Sequence, residues 1–161
     1  MADGGTTPDP KDLTRIFDTI EFRDAYRLSY LANAIVVPTY DAVRREFGII
    51  RAEYILLVCL AHFPVLTAQD ISRIARQPRN SISRAVHRMV AEGYIDRAPD
   101  PEDGRQAHLR LTPRGRALHE KVAARLVERQ EAVLAPLDAR ERRQLDGLLQ
   151  KIALHAAALP E

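Results

Sequence analysis

Residues 78–93 read PRNSISRAVHRMVAEG, and the spacing within this stretch decides the fold. Ile82, Ala85, Val86, Met89 and Val90 recur at i, i+3, i+4, i+7 and i+8, one apolar stripe on a helix, and Gly93 follows as its stop signal. Asn80, Ser81, Ser83, Arg84, His87 and Arg88 fall on the opposite face, with Arg79 at the helix start. Immediately upstream, Thr67 with Asp70 three residues later has capping-box spacing and opens a shorter helix whose Ile71, Ile74 and Ala75 share a face. That helix must stop before Pro78. Two short helices in succession, the second exposing only small polar and basic groups, form a helix-turn-helix pattern. Their connection, RQPRN, lacks the glycine common in such turns, so the sequence leaves the turn geometry open.

Beyond Gly93 the period changes from 3.6 to 2. Tyr94 to Ala98 reads as one strand, and Gln106 to Thr112 alternates Gln106, His108 and Arg110 with Ala107, Leu109 and Leu111 as a second. The turn formers DPEDGR, Asp100 to Arg105, lie between them and make the tip of a hairpin. A helix-turn-helix followed by a hairpin is a winged helix. Thr112 and Pro113 are N-cap and first residue of a helix running to about Ala135, closed by Pro136. Asp138 and Glu141 launch a last helix to about Ala158, with Leu145, Leu148, Leu149 and Ile152 on its apolar side. At the other end, Leu13, Ile16, Phe17, Ile20, Tyr26, Tyr30, Leu31, Ala34 and Ile35 mark an amphipathic helix to Phe47, which Pro38 is expected to kink or split. Arg51 to Phe63 carries YILLVCLA; its length and the stop at Pro64 favour a buried helix over a strand. The expected class is therefore mainly α: a polar tail at 1–12, an N-terminal dimerisation helix at 13–47, a winged helix-turn-helix with its β-hairpin wing at 48–116, and C-terminal dimerisation helices at 117–161. The dimer is expected because the terminal helices carry apolar stripes that so small a protomer has little core to absorb.

Composition narrows function. The chain has 161 residues and a formal net charge of only +2, yet of its 24 basic residues all but Lys11, Lys121 and Lys151 are arginine. Arg73, Arg76, Arg79, Arg84 and Arg88 fall between Ile71 and Ala91, where there is no acid. A local arginine patch on a nearly neutral chain is the footprint of a phosphate-bearing partner. No run approaches the ~18 apolar residues of a membrane span, and the polar MADGGTTPDPKD start lacks a signal-peptide pattern, giving a cytoplasmic expectation with no membrane partner. The single Cys59 rules out an internal disulfide and a cysteine-type zinc finger. No phosphate loop, dinucleotide fingerprint, nucleophile elbow or Cys/His dyad is present, so neither an enzyme nor a cofactor is expected.

The ordered set of SISRAVHRM, EGYIDR, DPEDGR with its Asp103-x-Arg105 pair, and LTPRG at Leu111 to Gly115, flanked by long helices, resembles the bacterial MarR-type transcriptional regulators. The resemblance implies a homodimer held by its terminal helices, two winged helices on a palindromic double-stranded DNA operator, and a small-molecule effector. Arg79, Asn80, Ser81, Ser83, Arg84, His87 and Arg88 are then the candidate DNA contacts, the arginines suiting guanine O6/N7 or phosphate. Asp103 would hold the wing tip while Arg105 enters the minor groove, whose negative potential attracts arginine. For an aromatic carboxylate or phenol between the dimer helices and the DNA lobe, Tyr26, Tyr30 and Tyr54 are candidate ring contacts, and Arg23, Arg27 and Arg51 candidate carboxylate partners. The competing readings are a winged helix used for protein contacts, against which the basic face speaks, and redox or metal sensing. Cys59 sits in an apolar run far from basic residues, and His62, His87, His108, His119 and His155 form no ligand pair at helical spacing.

Overall fold

The computed structural model describes residues 15–99 and 106–159. Among the described residues, helices and one hairpin follow in order: α1 (Ile16–Thr19), α2 (Arg23–Phe47), α3 (Arg51–His62), α4 (Ala68–Ala75), α5 (Arg79–Ala91), β1 (Ile95–Pro99), β2 (Ala107–Leu111), α6 (Pro113–Leu134) and α7 (Ala139–Ala158). The core is a winged helix threaded by α3, whose Leu56, Leu57 and Leu60 are buried. Around it pack Ile71 of α4, Ile82 and Met89 of α5, Ile95 and Leu109 of the hairpin, Leu118 and Val122 of α6, and Val43 at the end of α2. YILLVCLA is thus a buried helix, as its length and the following proline imply.

Caps place the elements as the sequence reads. Thr67 accepts from the Asp70 N–H at 3.1 Å, and Asp70 in turn accepts from the Thr67 N–H at 3.0 Å. The Thr67 hydroxyl, donating to the same Asp70 carboxylate at 2.7 Å, and then the Thr67 N–H hold that carboxyl below its usual range, with Arg73 assisting. The hairpin pairs Ile95 with Leu111 through Pro99 with Ala107, and Leu66 bridges Leu109 as a third short edge. Thr112 caps α6 by accepting from the Gly115 N–H at 3.0 Å, with Pro113 in the first turn. A methyl group at Gly115 would stand 2.1 Å from the Tyr94 carbonyl oxygen and 2.8 Å from Leu111 Cδ1, so only glycine lets α6 start this close to the wing. Gly115→Ala should cost about 1–3 kcal/mol through overpacking against backbone. A urea midpoint equal to the parent's would overturn this reading of the LTPRG segment.

The N-terminal helix departs from expectation. Pro38 does not split it: α2 runs unbroken for 25 residues through the proline, and the break falls earlier, between Thr19 and Arg23, where Ile20 is extended. Proline has no N–H for the carbonyl of Ala34, four residues back. Arg129 of α6 donates Nε to that carbonyl at 2.8 Å, satisfying the acceptor that the proline orphans. Arg125, one turn earlier, pairs with Glu46 through Nη2 at 2.9 Å, so α6 grips α2 at two levels.

Outside the winged helix the chain is left uncovered. No residue of α7 is buried, and Leu148, Leu149, Ile152 and Leu154 stand open, as do Leu28, Leu31 and Val37 of α2. Among the described residues no helix is long and apolar enough to cross a membrane.

Candidate nucleic-acid interface

The turn before α5 solves the missing-glycine problem with an arginine. Arg76 adopts the left-handed conformation at φ 48°, ψ 46°, the place where glycine is usual after a helix. The Gln77 N–H donates to the Ser72 carbonyl at 3.0 Å and the Arg76 N–H to Arg73 at 3.3 Å, the paired bonds of a Schellman end. Ser72 Oγ donates to the Gln77 carbonyl at 2.6 Å, and Arg76 Nη2 donates to the Ala156 carbonyl of α7 at 2.7 Å. The left-handed backbone of a non-glycine residue costs about 1–2 kcal/mol, which these bonds offset. At its far end α5 closes the same way, the Tyr94 N–H donating to Met89 at 2.9 Å with Gly93 at φ 73°.

Between these ends α5 is two-faced. Ile82, Ala85, Val86 and Met89 are buried, while Arg79, Asn80, Ser83, Arg84 and His87 are exposed and Ser81 is half-buried. Arg79 and Arg84 have no acidic partner among the described residues, so their guanidinium forks are free to meet an outside anion. Beside them lies a cleft of about 240 Å³ lined by Ser83 and His87 of α5, Thr67 and Gln69 at the start of α4, and Arg97 and Gln106 at the wing. Gln69 and Arg97 were not among the sequence candidates. The signal for Arg97 was the strand register, which sets β1 against α5; that for Gln69 was its place in the first turn of the leading helix. Asp103 and Arg105 lie outside the described residues.

Arg88, also a candidate DNA contact, is engaged by its own chain. Its Nε donates to Glu92 at 2.8 Å, Nη1 to both Glu53 oxygens at 2.9 and 3.2 Å, and Nη2 to the Gly48 carbonyl at 3.0 Å. All three guanidinium nitrogens thus have partners within the chain. Those bonds, Glu92 first and then the Glu53 charge, raise its already high pKa.

The candidate effector residues do not converge in this chain. Tyr26 and Tyr30 pack on Phe17, with ring centroids 6.1 and 4.8 Å away, and Arg27 is paired with Asp18 and Asp24 while Arg23 is exposed beside them. Tyr54 instead stacks edge-on with Tyr40 at 5.7 Å, and the Arg51 guanidinium lies 5.8 Å from the Tyr40 ring centre. Burial pushes the Tyr54 phenol up to about 12. Tyr26 and Tyr40 are fourteen residues apart on one helix, about 21 Å, so the six residues form two separate aromatic clusters. Cys59 is buried and burial pushes its thiol up, which disfavours the reactive thiolate. Among the described residues no group of three His, Cys, Asp or Glu side chains is placed to hold a metal ion.

Comparison with known proteins agrees with this geometry. Residues 47–106 match the family model described as MarR family. An HTH-type transcriptional repressor of Mycobacterium tuberculosis is 26% identical over 125 residues, covering 78% of this chain and 90% of the relative. Wild-type MarR from E. coli in its apo form superimposes with a TM-score of 0.72 at 19% identity, covering 84% of this chain and 98% of that one. A probable transcriptional regulator from Pseudomonas aeruginosa gives 0.64 at 28% identity, covering 86% and 99%.

Proposed function

We propose that this chain, whose residues 47–106 match the MarR family model, is a MarR-type cytoplasmic repressor that binds a palindromic operator as a homodimer and is released by a small effector. The observation that carries the reading is the pair Arg79 and Arg84, exposed and without acidic partners on the outer face of α5. A helix so furnished enters a major groove, where Arg84 forks onto guanine O6/N7 or phosphate and Asn80, Ser81 and Ser83 meet phosphate or adenine edges. Gln69 and Arg97 flank that face and extend the contact to neighbouring phosphates, and Arg105 is the residue assigned to the minor groove. Two copies present two such helices to half-sites about 10 bp apart.

For the effector, the Arg51–Tyr40–Tyr54 cluster is the better of the two aromatic groups. Its arginine is exposed and not paired with an acid, whereas Arg27 is already held by Asp18 and Asp24. An aromatic carboxylate that favours the DNA-incompetent spacing of the lobes by ~1–3 kcal/mol weakens operator binding ~5–150-fold, and DNA weakens ligand binding equally.

A single titration tests both levels. Labelled duplex from the promoter beside the coding region, against random duplex, should be bound preferentially. Affinity should fall ~10³–10⁵-fold between 50 and 200 mM salt if the dimer neutralises ~6–10 phosphates. Benzoate-, hydroxycinnamate- and nicotinate-type acids that raise the melting temperature should release the promoter duplex. Binding indifferent to salt would refute the DNA reading, and a stabilising acid that leaves DNA affinity unchanged is not the effector.

A further inference from the structure

Glu53 is 1% exposed, a carboxylate in the first turn of α3 beneath the recognition helix. Such a group is costly to bury unless its oxygens are met, and here they are: Oε2 accepts the Ile50 N–H at 2.9 Å, and both oxygens accept Arg88 Nη1. The same guanidinium also bonds the Gly48 carbonyl, where α2 ends in a left-handed glycine at φ 68°. One planar group therefore ties three elements: the end of α2, the start of α3 and the body of α5.

We propose that Arg88 and Glu53 are positioning residues that set the rotation of α5 about its own axis, and so decide where Arg84, one turn away, meets the base pairs. The proposal rests on the DNA-binding function above. Apolar contacts under α5 are non-directional and tolerate small rotations, whereas a planar guanidinium held through Nη1 by Glu53 and through Nη2 by the Gly48 carbonyl does not. A rotation of about 20° moves a guanidinium carried roughly 8–10 Å from a helix axis by about 3 Å, a full hydrogen-bond length. Such a shift spoils base reading while leaving phosphate attraction almost intact, because charge is less demanding of geometry than a forked hydrogen bond. Arg88 thus serves specificity without touching DNA.

The test uses the full-length protein and measures Kd for promoter duplex and for random duplex across a salt series, with Glu53→Gln, Arg88→Lys and the double variant. Glu53→Gln is isosteric, lies below the surface, and carries the test if Arg88→Lys fails to fold. The expected result is a fall of about tenfold in the promoter-to-random ratio for each single variant and no further fall in the double. Random-duplex affinity and the slope of log Kd against log salt should stay as in the parent. Two results overturn the proposal: an unchanged ratio in Glu53→Gln, or an Arg88→Met variant whose salt slope drops by about two per dimer on both duplexes, which marks Arg88 as a phosphate contact. If the parent protein binds neither duplex, it is the DNA-binding function that has failed, and the two failures are told apart in the first titration.

Discussion

Cutting the chain before Asp138 should yield a monomer or an aggregate and abolish operator binding. The helix removed is well started: Asp138 accepts from the Arg140 and Glu141 N–H groups at 2.7 and 2.8 Å, and Arg142 anchors its first turns by bonding the Leu134 carbonyl at 3.0 Å and pairing with Glu131. Yet a lone helix of this length is marginal in water without a packed face. Its apolar residues are uncovered by their own chain, Leu148 being 60% and Leu154 67% exposed, and α2 presents Leu28, Leu31 and Val37. A second copy is the cover we propose, matching helix for helix under two-fold symmetry. Losing it turns a two-site grip on DNA into two independent weak ones, forfeiting the ~10²–10⁴-fold gain of linked binding sites. Sedimentation alongside fluorescence anisotropy checks this, and an intact truncated monomer with full operator affinity would sink it.

Arg84→Ala should weaken operator binding by ~1–3 kcal/mol per copy, roughly 30- to 3 × 10⁴-fold for a dimer that carries two, and should relax preference at one or two positions of each half-site. The side chain is exposed, lacks an acidic partner among the described residues, and sits on a rigid helix packed through Ile82, Ala85 and Met89, so its removal leaves the core untouched. Arg105→Ala should weaken binding with smaller changes in base preference. Competition with single-base operator variants separates the two. Retention of full operator affinity by the Arg84→Ala, Arg105→Ala double variant would refute the interface.

What the sequence made legible was local. The stripe Ile82 to Val90, the capping boxes at Thr67 and Asp138, and the Thr112–Pro113 start each depend on residues within one or two turns, and each is where its spacing put it. What it hid depends on distant partners. Arg88 reads as one more basic residue on an exposed face until Glu53, thirty-five residues upstream, is brought beneath it. Tyr26 and Tyr54 look like members of one pocket because nothing in their spacing reveals that the unbroken α2 holds their clusters apart. Pro38 promised a kink or a split, and the split does not come: the helix continues past it with Arg129 on the carbonyl that the proline orphans. The left-handed Arg76 belongs to the same group, since its turn closes with bonds that a glycine would have advertised.

Pro38 and Arg129 also constrain the order in which descendants of this sequence can change. While the proline stands, replacing Arg129 leaves the Ala34 carbonyl half-buried without its partner, at about 1–3 kcal/mol, a large share of the margin an ordinary domain has. If Pro38 goes first, position 38 regains an N–H, the carbonyl is met from within its own helix, and Arg129 becomes dispensable. One route crosses a valley and the other stays on level ground. Lineages should therefore keep the arginine for as long as they keep the proline, and lose it only afterwards.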